Sequence, residues 1–73
     1  MNHSTASEFE TLVNCARMNM DENPSMLTKC FWYGRLFECH CNMSINESHK
    51  VSDEAYDFYD ELAETVEDAG FNW

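Results

Sequence analysis

Residues 52–69 read SDEAYDFYDELAETVEDA, and the spacing within this stretch decides the fold. At about 100° per residue, Ala55, Phe58, Tyr59, Leu62, Ala63, Val66 and Ala69 fall in one stripe about 140° wide. Asp53, Glu54, Asp57, Asp60, Glu61, Glu64, Glu67 and Asp68 all fall on the other side. So clean a separation requires the 3.6-residue period of an α-helix and disappears at the period of 2 of a strand. Ser52 is placed to cap the helix start, and Asp53 and Glu54 sit at the positive end of its dipole. Gly70 stands at the left-handed cap position, with Phe71 placed to fold back onto the last turn and Asn72-Trp73 as a loosely held tail.

Two more helical segments precede it. In the first, from about residue 5 to 20, Ala6, Phe9, Leu12, Val13, Ala16 and Met20 recur at helical spacing, while Cys15 and Met18 point elsewhere. Ser4 or Thr5 supplies its cap. The break Asp21-Glu22-Asn23-Pro24-Ser25 follows, and Asn23 before Pro24 suits a cap with proline at the first helical position. The second helix is therefore expected over 24–42, with a hairpin around Cys30-Phe31-Trp32-Tyr33 as the competing reading. Residues 43–51 form a polar connector in which Ser44 and Glu47 match the spacing of a capping box. The expected architecture is all-α: one domain over 1–73, either a small three-helix bundle or a helical hairpin with an extra helix, with dimerisation as one way to complete it.

Seventy-three residues allow a single small core, which is expected to supply roughly 3–5 kcal/mol. A hydrophobic fraction of 44% is too high for a disordered chain, even at a net charge of −10. Fourteen acidic residues against Arg17, Lys29, Arg35 and Lys50 argue against direct contact with nucleic acid or an anionic membrane, since phosphate binding needs a basic patch. The N-terminus has neither the basic region nor the apolar run of a signal peptide, and no stretch matches a membrane span. A cytoplasmic location is expected.

Two surfaces are candidates for contact. Asp53, Asp57, Asp60, Glu61, Glu64, Glu67 and Asp68 form an acidic docking face with no Lys or Arg on their own helix. Eight like charges on this helix repel at (i, i+3) and (i, i+4), so the face is not arranged for helix stability. Solvation alone would account for it; docking onto a basic protein patch is the functional reading, and within that lies imitation of a row of DNA phosphates. The second helix is apolar on two sides. Leu27, Cys30, Phe31, Gly34, Phe37 and Cys41 share one face, and Trp32, Leu36, Cys39 and Met43 form another. A helix of a small monomer needs one apolar face, so the stripe Trp32, Leu36, Cys39 and Met43 is expected to meet a partner or a second copy.

Site chemistry is sparse. A calcium loop needs a glycine at its turn, which 53–64 lacks, and no Glu-x-x-His motif for a di-iron site occurs. Cys39-His40-Cys41 has one residue between its cysteines, closer than usual zinc pairs; with His49 it defines a zinc-stabilised module as an alternative. No cofactor, no bound metal and no enzymatic activity are expected.

The short chain, the run Asp53 to Asp68 bare of basic residues and the absence of a targeting segment together resemble the small acidic proteins that lambdoid bacteriophages encode in their early regions. That resemblance implies binding to a host protein, to inhibit or redirect it. The expected function is a regulatory interaction protein, homo-oligomeric, with a basic-patched protein partner. A DNA mimic and the zinc-stabilised module are the alternatives.

Overall fold

Each main helix begins where a hydroxyl takes up an N–H that the helix itself leaves unpaired. In a computed structural model, which describes residues 3–20 and 22–70, Thr5 accepts from the Glu8 N–H at 3.1 Å and starts α1 (Ala6–Asn19). Ser25 accepts from Thr28 at 3.2 Å and starts α2 (Met26–Cys41). Ser44 accepts from Glu47 at 3.2 Å and opens the short α3 (Ile45–Ser48). Ser52 accepts from Ala55 at 3.3 Å and starts α4 (Asp53–Asp68). The second start differs from expectation. The cap is Ser25 and not Asn23, and Pro24 lies outside the helix, because the Ser25 hydroxyl also pairs with Thr28 Oγ1 at 3.0 Å. Residues 30–33 are helical and form no hairpin.

Gly70 has φ +87°, and its N–H donates to the Glu67 carbonyl at 2.9 Å. This is the left-handed closure that glycine adopts without strain. The expected return of Phe71 and the tail Asn72-Trp73 lie outside the described residues.

The architecture is a small all-α bundle. Helix α2 packs on both α4 and α1, and α1 meets α4. One core joins them: Phe9, Val13, Leu36 and Val66 are fully buried, and Tyr33, Ala55, Tyr59 and Leu62 close around them. Its centre is aromatic. Phe9 meets Tyr59 edge-on at 5.5 Å between ring centroids, and Tyr59 stacks on Tyr33 at 5.7 Å and on His40 at 5.5 Å. Offset and edge-on contacts of this kind add to the gain from burying area. Burial, followed by the neighbouring Tyr33, pushes the Tyr59 phenol well above its ordinary pKa.

The chain start is clasped to the end of α2. The Ser4 N–H donates to the Asn42 carbonyl at 3.1 Å, and Ser4 and Met43 form a single parallel bridge. Glu47 completes the clasp. Its Oε1 accepts the Ala6 N–H at 3.0 Å and its Oε2 accepts from Lys50 Nζ at 2.8 Å. The expected capping box is thus half formed: Ser44 caps α3, while the Glu47 carboxylate turns to α1. Tyr56 Oη donates to the Ser48 carbonyl at 2.7 Å and ties α3 to α4.

Candidate functional site

The acidic face of α4 stands out from the fold as the spacing requires. With Ala55, Tyr59, Leu62 and Val66 turned into the core, the opposite side of the helix has only solvent to meet. Asp53, Glu54, Asp57, Asp60, Glu61, Glu64, Glu67 and Asp68 are all exposed. Among the described residues none of the eight takes part in an ion pair; the single pair there is Lys50–Glu47, on α3 and its exit.

The cation that reaches α4, Arg17, is engaged elsewhere. Arg17 Nη2 donates to the Glu54 carbonyl at 3.2 Å, and its guanidinium lies 5.2 Å from the centre of the Phe58 ring. It therefore anchors α1 to α4 through backbone and ring, and forms no ion pair with the α4 carboxylates. Beside it lies an open cleft of about 370 Å³ whose lining includes Arg17, Met20, Lys29, Phe58, Glu61 and Leu62. A second, more polar cleft of about 510 Å³ lies by the chain start, with His3, Glu8, Arg35, Glu38 and Cys39 among its lining residues.

On α2 the structure corrects the expected interface. Leu36 is fully buried and Cys39 is buried, while Trp32 and Met43 are half-buried against the core. The stripe Trp32, Leu36, Cys39 and Met43 is thus the inner one. Tyr33 and His40 explain this. Both carry polar atoms, yet both turn their rings into the aromatic centre. Counted with Cys30, Leu36 and Cys39, they make an inner arc of about half the helix, and α2 packs on both α1 and α4. The outward apolar residues are Leu27 at 82% exposure, Phe31 at 56% and Phe37 at 39%, with Arg35 lying over the Phe31 ring at 5.8 Å. Sequence spacing had placed all three on one face; only packing decides which face is covered.

The zinc alternative loses its ligand set. Cys39 is buried, whereas Cys41 and His49 are exposed, and among the described residues no three His, Cys, Asp or Glu side chains gather as a metal-binding group. Burial raises the Cys39 thiol pKa, with an opposing hydrogen bond from Ser4 as the next cause, so its thiolate is disfavoured. Among the described residues no helix is long and apolar enough to cross a membrane. No protein-family model, curated protein or solved structure matches the chain, so its two outward surfaces, the carboxylate face of α4 and the apolar face of α2, are what a functional reading rests on.

Proposed function

We propose that this chain is a small acidic interaction protein that binds a basic patch on a protein partner through α4, and so inhibits or redirects that partner. The observation that carries this is the row of eight exposed carboxylates with no cation paired to them among the described residues. Like charges at this spacing destabilise their own helix, and an oppositely charged surface relieves that repulsion on binding. The composition resembles that of small acidic phage early proteins acting on host machinery, and we extend the proposal to that setting, inside the host cytoplasm. The action is by contact and not by catalysis.

The DNA-mimic alternative fares less well. Sixteen helical residues give one row of charges about 24 Å long, whereas a duplex presents two phosphate strands to the groove that holds it.

Charge reversal tests the proposal. Asp57, Glu61 and Glu64 changed together to lysine should abolish capture of the partner from host extract. A control with Glu8, Glu10 and Glu38 changed to lysine, which removes the same charge from other helices, should retain it. Equal capture by both variants and the parent would refute a role for α4.

A further inference from the structure

We infer that the chain start, hinged at Thr5, is a strap that opens independently of the helical bundle and gates access to the Cys39 thiol. Its attachments converge on the end of α2 and on α3. The Ser4 N–H donates to the Asn42 carbonyl at 3.1 Å, and Ser4 and Met43 form a parallel bridge. The Ser4 side chain hydrogen-bonds the Cys39 thiol itself. At the root of the strap, the Ala6 N–H donates to Glu47 Oε1 at 3.0 Å, while Lys50 Nζ holds the other carboxylate oxygen at 2.8 Å. Cys39 also borders the polar cleft of about 510 Å³ that His3, Ser4 and Asn42 help to line, so a small reagent has a path to the sulfur once Ser4 moves aside.

Polar attachment without an apolar anchor makes the strap separable. His3 is exposed, Ser4 and Thr5 are half-buried, and Ala6 is the first core residue among those described. Segments with few buried apolar contacts and solvent-facing hydrogen bonds open at the low end of a protein's range of local stabilities. Each bond of the strap is exchanged for one with water on opening, which makes its net contribution small. The Thr5 hydroxyl meanwhile accepts the Glu8 N–H at 3.1 Å, so α1 keeps its cap when Ser4 lifts. Opening also removes the burial that disfavours the Cys39 thiolate, and access and reactivity rise together.

A second cysteine of α2 provides the comparison. Cys30 and Cys39 are equally enclosed, each 7% exposed. Cys30 stands nine residues before Cys39, about 13.5 Å away along the helix axis and remote from the strap. Exposing Cys30 requires the helices to part, whereas exposing Cys39 requires only that Ser4 lift.

Alkylation of the full chain by iodoacetamide near neutral pH tests this. The thiolate sulfur displaces iodide, and mass spectrometry of the peptides gives a rate for each thiol. Exposed Cys41 sets the unhindered rate. Cys39 should react more slowly than Cys41 but at least about tenfold faster than Cys30. Equal rates for Cys30 and Cys39 overturn the inference, since both would then wait for the bundle to unfold. Low urea, well below the unfolding midpoint, gives a readout that needs no variant. The Cys30 rate should climb steeply with urea and the Cys39 rate should stay nearly flat, because urea sensitivity scales with the surface exposed on opening. A Cys39 rate that climbs as steeply as that of Cys30 overturns the inference too. Finally, Ser4→Pro removes both the N–H and the hydroxyl of the strap, and should speed Cys39 about tenfold with Cys30 unchanged. An unchanged Cys39 rate, or a rise that Cys30 shares equally, would contradict a gate at Ser4.

Discussion

Phe9 and Glu47 show how much single side chains carry in a chain of this size. Phe9 is fully buried and touches the rings of His40, Tyr56 and Tyr59, so it joins α1 to α2 and α4 at once. Phe→Ala at such a site costs about 3–5 kcal/mol, comparable with everything a core this small supplies. Phe9→Ala is therefore expected to be largely unfolded at 25 °C by circular dichroism; native helix content would show that the core depends on other contacts. Glu47 acts by charge. Its hydrogen bond with Lys50, and then the one from the Ala6 N–H, lower its carboxyl pKa below the ordinary range. A folded-state pKa depressed in this way stabilises the fold above the unfolded value and ceases to do so as pH falls through the folded value. Stability should therefore decline as acid protonates Glu47, and Glu47→Gln should be less stable than the parent at neutral pH with that part of the acid dependence removed. Thermal melts from pH 7 down to pH 3 decide this, and parallel curves for the two proteins would count against it.

At the scale of elements, α4 was largely legible in the sequence and α2 only half so: on α4, Ala69 was read into the core stripe but is exposed at the C-cap, and Tyr56, left out of it, packs against the core. In α4 all eight carboxylates fall on one side and Ala55, Tyr59, Leu62 and Val66 on the other, so its N-cap, the centre of its core stripe and its exposed face follow from spacing. In α2 the inward arc includes Tyr33 and His40, which a count of apolar residues leaves out, and the true core face was read as the spare one. The clasp by Glu47 was illegible for another reason: it joins residues 41 apart in sequence, and its local signal, the capping-box spacing, pointed to α3. The legible element carries its own prediction. Along α4, Asp57 and Glu64 each have four carboxylates at three or four residues' distance. With every pair of this kind costing a few tenths of a kcal/mol, repulsion on the helix is on the order of 2 kcal/mol at low salt. Since the Debye length falls from about 30 Å at 0.01 M to about 3 Å at 1 M, added salt should stabilise the protein. The thermal midpoint is expected to rise between 10 and 500 mM sodium chloride, and most of that rise should vanish in the variant with Asp57, Glu61 and Glu64 changed to lysine. A midpoint that salt leaves unmoved would mean that the carboxylates do not strain the helix.

At the scale of the whole molecule, the question is whether a second copy is needed for folding or only for association. The core of one chain already draws on α1, α2 and α4, with Phe9, Val13, Leu36 and Val66 fully enclosed. Among the described residues no buried side-chain nitrogen or oxygen lacks a hydrogen-bond partner. Such a core asks nothing of a neighbour. On α2, Leu27 and Phe31 lie outside that core, while Phe37 borders it against the Tyr33 ring at 5.9 Å. An obligate dimer behaves otherwise: its stability is inseparable from protomer concentration, because the folded monomer does not exist alone. For this chain the unfolding midpoint in urea should be the same at 2 and 20 µM. A midpoint already dependent on concentration at 2–20 µM would show that the fold closes only across two chains, and that the face on α2 is part of the core and not a surface beside it.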